Sequence, residues 1–333
     1  MRLKTGFHTA VVTAAAAALV SSCSGAPQSN FMVPPIATTG SVAPSTVSNV
    51  HLVRLAGAAR SVYVAQESQG NVLSFTYSHR TFTPTGTVAG AGASYGLWED
   101  RQKNLYVAYD GFPSSSSVEQ YNALGDLVFT YSTYNIPTSA VTTDRFGNVF
   151  VGTQDGAVRE FPAGVDTAIA TCTPPAAAIY TSASGVAVDK QGDVFVDYAD
   201  SFQNGNVMEY PHGLTASGCN GTQLFGSPNP GPFGAPGGIA LDPQNNLVIC
   251  DVSGNVWIAS PPYLASSNIV PFGSGFNNPI TVTITRKGTQ AYVTDFGLRF
   301  TRLMNYPSGT TIATLSGPSY YPSAAVDTEN YVP

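Results

Sequence analysis

Seven acidic side chains recur at one kind of place in this sequence, just after a short apolar run: Glu67, Asp110, Asp155, Asp197, Asp200, Asp251 and Asp295. Carboxylates gathered at one mouth could hold a hard divalent cation such as calcium, which is bound through oxygen ligands alone. Glu67, Asp197, Asp251 and Asp295 are the nominees for such a metal site. The competing reading makes them solvated loop acids or turn caps. A second set is aromatic. Tyr95, Tyr134, Tyr180, Phe233, Phe276 and Tyr320 stand where the chain leads into an apolar run, and a ring of them could stack a sugar or a peptide. The competing reading packs them between neighbouring elements. Other chemistries lack their residues. His51, His79 and His212 show no metal-binding spacing. No Gly-x-Ser-x-Gly elbow, Walker loop or dinucleotide fingerprint is present, so no catalytic set is assigned.

The elements that position these residues follow from composition and self-comparison. Charged residues make up 10% of the 333 residues, and the formal net charge is −6. So few charges starve long amphipathic helices of their polar faces, while 33 glycines and 24 prolines supply many turns. Aromatic residues at 11% provide ample core material, which argues against disorder. The composition points to an all-β chain. An acidic chain with no Lys/Arg run beyond pairs does not suit nucleic acid as a partner.

The chain repeats itself. Each unit has an apolar run, usually an Asp, a few turn residues with Gly or Asn, and a second apolar run, as in residues 140–155, 185–200 and 238–253. The markers Gly57, Asp100, Asp144, Asp189, Asp242, Arg286 and Asp327 are spaced 43, 44, 45, 53, 44 and 41 residues apart. Third and fourth short strands follow, such as 206–210 and 126–131 in their units. A period of about 40–45 residues with four strands marks a β-propeller blade. Six four-stranded blades are favoured, with residues 323–327 pairing into the first. The alternative is a seventh blade assembled from residues 30–50 and 323–333. The recurring Asp reads as a turn residue accepting backbone N–H groups, because a catalytic group is needed once and a turn in every blade. His212 likewise reads as an outer turn residue, since Ala163 and Ser308 stand at the same place in other units. Cys172 and Cys219 fall near the outer ends of neighbouring blades and are a candidate disulfide. Cys250 closes a second strand and reads as a small buried residue.

The runs Asp144–Val151, Asp189–Val196 and Asp242–Ile249, with Phe233 and Pro236-Gly237-Gly238 leading in, resemble the NHL-repeat and related lactonase-like six-bladed propellers over about residues 50–333. The resemblance implies the fold. For the lactonase-like members it also implies a Glu, an Asn and an Asp about a channel metal.

At the N-terminus, Arg2 and Lys4 precede an apolar run over residues 10–20 that ends in Val20-Ser21-Ser22-Cys23. This resembles a bacterial lipoprotein signal, and the apolar run is short for a membrane span. The expected organisation is a signal peptide over 1–22, lipidation at Cys23, a flexible Ser/Pro/Ala/Thr-rich tether over 23–48 and the propeller over 49–333. The expected location is the bacterial cell envelope, as an exported lipoprotein touching the membrane through its lipid alone; the alternative is a secreted protein. The function expected is a binding or interaction module for a protein, peptide or glycan at the channel face. The alternative is a metal-dependent hydrolase or lyase of the lactonase-like type.

Overall fold

The computed structural model describes residues 60–67, 70–89, 92–110, 116–174, 180–200, 205–225, 236–263, 268–316 and 322–327. Among them, antiparallel strands form six sheets of four. The first three strands are β1 (Arg60–Gln66), β2 (Asn71–Ser78) and β3 (Thr81–Ala89). The second blade is β4 (Ala93–Glu99), β5 (Leu105–Asp110), β6 (Ser117–Tyr121) and β7 (Leu127–Ser132). The third is β8 (Thr138–Thr143), β9 (Val149–Thr153), β10 (Val158–Phe161) and β11 (Ala170–Cys172). The fourth is β12 (Tyr180–Val188), β13 (Val194–Asp200), β14 (Gly205–Tyr210) and β15 (Thr222–Phe225), with the one-turn helix α1 (Leu214–Ser217) before its last strand. The fifth is β16 (Pro236–Leu241), β17 (Leu247–Asp251), β18 (Asn255–Ala259) and β19 (Ile269–Pro271), and the sixth is β20 (Pro279–Ile284), β21 (Gln290–Asp295), β22 (Phe300–Asn305) and β23 (Thr311–Ser316).

The last strand, β24 (Pro322–Asp327), pairs antiparallel with β1, matching Tyr63 to Val326 and Val64 to Ala325. It is the inner strand of the first blade, whose sheet order is β24-β1-β2-β3. The chain end therefore supplies the strand that the first blade lacks, and the ring has six blades. Closure also uses side chains: Thr283 Oγ1 of β20 donates to the Ala325 carbonyl across the seam at 2.8 Å.

Second strands are the most deeply buried. β9 and β17 are buried throughout, and β5 in all but its last residue. Both faces of a blade meet a neighbour, so these strands read as runs of Val, Ile, Leu and aromatic residues rather than as a clean alternation. The seams close with aromatic pairs, such as Tyr131 on Phe161 at 5.7 Å and Phe272 on Tyr306 at 5.5 Å between ring centres. Gly152 has no room for a side chain, because a Cβ there would lie 2.4 Å from the Ala183 carbonyl of the next blade.

The marker Asp holds the turn between first and second strands. Asp242 Oδ1 accepts the N–H groups of Gln244 and Asn246, both at 2.8 Å, and Oδ2 accepts Asn246 Nδ2 at 2.7 Å. Asp144 repeats this pattern with Phe146 and Asn148; Asp189 Oδ1 accepts the N–H groups of Gln191 and Asp193, while its Oδ2 accepts Asn245 Nδ2 of the next blade. In the sixth blade the marker is Thr285 rather than Arg286. The Thr285 N–H donates to the Gln290 carbonyl at 2.9 Å, and its Oγ1 accepts the Gln290 N–H at 3.2 Å. The turn there is one residue longer, which shifted the apparent marker onto exposed Arg286.

Cys172 and Cys219 form a disulfide with Cα atoms 5.2 Å apart, joining the outer parts of blades three and four. It closes a loop of 47 residues, for which the loss of chain entropy in the unfolded state is worth roughly 2–4 kcal/mol. Cys219→Ser is expected to lower the unfolding free energy by about that amount in a denaturant titration. Adding reductant should then change the wild type and leave the variant where it is.

Candidate functional site

The inner strands β24, β4, β8, β12, β16 and β20 line a central channel of about 650 Å³, its open mouths included. Leu97, Ala140, Val186, Ile239, Thr281 and Ala324 are among the lining residues, one from each blade, and none of the lining side chains is charged. Every inner strand breaks register at the same level, toward the end where it enters its sheet. The unpaired residues are Tyr95, Ser139, Ser184, Gly237 with Gly238, Ile280 and Ser323. A bulge bends its strand and re-aims the side chain it carries. Six of them at one level shape the channel mouth on that face.

The acids nominated from sequence border this mouth at three different levels of the second strands. Asp197, Asp251 and Asp295 are strand residues of β13, β17 and β21 rather than loop residues, and they are 1%, 0% and 0% exposed. Successive strand residues point to opposite faces of a blade, so one residue of offset sends a carboxylate into the opposite seam. The acids therefore separate into groups. Among the described residues, no three of His, Cys, Asp and Glu gather in a set able to hold a metal ion.

Asp295 is occupied by backbone. It accepts the N–H groups of Asn277 at 2.7 Å, Asn278 at 3.2 Å and Leu298 at 2.8 Å, tying two loops of the mouth together. Asp155 forms an ion pair with Arg159 at 2.7 Å. Burial pushes its carboxyl up, but the bonds from Arg159, Thr153 and the Ala157 N–H outweigh this and hold it below the usual carboxylate range. Asp251 Oδ1 accepts the Ser253 N–H at 3.0 Å. Asp197 differs from these, since neither of its oxygens has a hydrogen-bond partner. Burial, and then the charge of Asp251, raise its carboxyl well above the ordinary value. The Cys250 thiol is fully buried and pushed up, mainly by that burial. It is the small packed residue its position suggested, held as the unreactive thiol.

Glu67 and Asp110 lie near Tyr95, between blades one and two. Tyr95 Oη donates to Glu67 Oε1 at 3.3 Å. Burial raises the Glu67 carboxyl, the Tyr95 bond opposes this, and the charge of Asp110 adds to the rise. Ser116 Oγ donates to Asp110 Oδ1 at 3.5 Å, while the Ser116 carbonyl accepts Thr133 Oγ1 at 2.9 Å. Thr133 opens the turn that carries Tyr134. Tyr134 and Asn135 have φ of 53° and 66°, and the Ile136 N–H closes on the Thr133 carbonyl at 3.1 Å. Two positive φ values in succession mark a type I′ turn. An aromatic residue adopts that conformation at a cost of about 1–3 kcal/mol. Tyr134 is nevertheless 71% exposed, so the turn holds the ring out rather than packing it away.

The other nominated aromatics take different roles. Phe276 packs on the fifth-blade core, with its ring 6.5 Å from Phe300 and the Arg302 guanidinium 5.6 Å above it. Tyr180 opens β12 opposite Asp200, with its side chain outside the description. Phe233, Tyr320 and Cys23 lie outside the described residues. Sequence reasoning missed three features here: the Glu67–Tyr95 bond, the Arg159 partner of Asp155 and the ring of bulges. The last two leave a trace, in the i, i+4 spacing of Asp155 and Arg159 and in the glycine pair before Ile239.

Neither a family model nor a curated protein matches the sequence. Among solved structures, the chain is similar to one in a crystal structure of a nidogen/laminin complex, with a TM-score of 0.64 at 14% identity, covering 80% of this chain and 98% of that one. At that identity the likeness shows the fold, a six-bladed propeller.

The raised Glu67 carboxyl has a defined consequence for stability. A carboxyl whose folded value lies above its ordinary 4.5 costs the native state stability wherever it is ionised, and that stability returns as pH falls through the folded value. Glu67→Gln keeps an acceptor for Tyr95 and removes the charge. Its melting temperature is expected to exceed that of the wild type at pH 7–8, with the gap closing toward pH 4.5. A gap that is independent of pH would rule out this account.

Proposed function

We propose that this protein is an exported, lipid-anchored β-propeller of the NHL-repeat type that serves as a protein-interaction module. The partner engages the channel mouth around Tyr134. The observation that carries this reading is Tyr134 itself, a large aromatic ring held 71% exposed in a strained but hydrogen-bonded turn. Tyrosines of this kind anchor protein interfaces, because they bring much contact area at little entropic cost. Asp110, whose Ser116 partner also braces the turn through Thr133, favours a partner segment carrying Lys or Arg. The similar propeller described as a nidogen/laminin complex supports a protein partner over a glycan. The metal-dependent hydrolase reading gains no support from the described residues, no three of whose acids gather at the channel mouth.

A photo-crosslinker at Asn135 is expected to trap a protein adduct in the native host, and Tyr134→Ala should reduce its yield about tenfold. A crosslinker at Thr314, on the outer edge of the sixth blade, should trap little. Equal trapping from both positions would place the interface elsewhere.

The anchor rests on the form of residues 1–23. Cys23→Ser is expected to move the protein from the membrane fraction to the soluble one. Unchanged fractionation removes the lipid from this reading.

A further inference from the structure

We propose that Asp197, Asp251 and the Ser182 hydroxyl hold a hard divalent cation in the seam between blades four and five. The placement follows from strand register. Asp197 pairs with Gly185, and a Cβ on Gly185 would lie 2.5 Å from the Ile239 nitrogen of the next blade. That face of blade four, with Asp197 on it, therefore looks toward blade five. Ser182 pairs with Ala199, two residues beyond Asp197, so it stands on the same face. On β17 the Cys250 Cβ lies on the side of blade six, because a Cβ on Gly237 would meet both Cys250 and Pro279 at 2.8 Å. Asp251, the next residue, faces the opposite way, toward Asp197.

Three buried oxygen-bearing side chains thus share one seam. Both Asp197 oxygens and Ser182 Oγ have no hydrogen-bond partner, at 1% and 4% exposure. Folded proteins rarely leave such groups unsatisfied, and a buried carboxylate without partners is costly. A cation satisfies all three groups at once, and a divalent one balances the two carboxylates. The donors are all oxygen, which selects a hard ion such as calcium over zinc or copper. Backbone carbonyls and water would complete its shell. Asp295 is not a ligand, since three amides occupy it, and Cys250 lies on the other face of its strand. The ion would sit between blades rather than in the channel, clamping the fourth blade to the fifth.

The test uses the full chain after treatment with chelator, melted at constant ionic strength in sodium chloride alone, with 1 mM calcium chloride, and with 1 mM magnesium chloride. Calcium is expected to raise the melting temperature by about 5 °C and to bind at one ion per chain in equilibrium dialysis. Asp197→Asn should abolish both effects, and Ser182→Ala should weaken binding about tenfold while folding normally. No bound calcium and no shift would overturn the proposal. So would a shift that survives undiminished in Asp197→Asn or, should that variant not fold, an affinity unchanged in Ser182→Ala. Stabilisation on acidification to pH 5 with no response to calcium would assign the seam to a shared proton and likewise overturn it.

Discussion

The pairing of β24 with β1 is the constraint on which the ring depends. A blade is a small twisted sheet with two apolar faces, and neither face can be left bare. Each blade buries both against neighbours, so the array is stable only when the last blade meets the first. Here that meeting is a single composite sheet, with an inner strand from residues 322–327 and outer strands from residues 60–89. Every buried second strand, every aromatic seam and the channel itself presuppose that closure.

Within the closed ring the two ends of the blades are specialised. At one end, the turns between first and second strands of blades two to five are fastened by a carboxylate on backbone amides, and that of the sixth by Thr285. At the other end the inner strands all bulge together, and the backbone is less regular. The unusual chemistry collects there: Tyr134 in its strained turn, the Glu67–Tyr95 bond, and the unpartnered Asp197. The division follows from backbone bookkeeping. A tight Asp turn uses its own hydrogen bonds completely, whereas a bulge leaves groups to be satisfied from outside.

The blade number, the strand order and the structural role of the marker Asp were legible in the sequence, because each rests on local chemistry repeated at a fixed period. The spacing also put Cys172 and Cys219 at the outer ends of adjacent blades, where they are joined. The site was much less legible. Asp197, Asp251 and Glu67 look alike as acids ending an apolar run, yet they occupy three successive levels of equivalent strands, and the period of two turns neighbouring levels to opposite faces of their own blades. A ring of carboxylates inferred from spacing thus becomes separate groups. Thr285 escaped notice because a hydroxyl accomplishes half of the work of an Asp, in a turn one residue longer. Tyr134 was visible as an aromatic, but its exposure depends on the positive φ of the turn, which a Tyr-Asn pair does not announce.

The composite first blade also orders events in time. On the ribosome β1 emerges more than 250 residues before β24, a delay of about 10–50 s at ordinary elongation rates. Throughout that interval the inner edge of β1 is an unpaired row of backbone donors and acceptors on a strand almost devoid of charge, the kind of edge to which a stray strand adds readily. The architecture that leaves the finished ring without a bare blade therefore leaves the edge of β1 bare throughout synthesis.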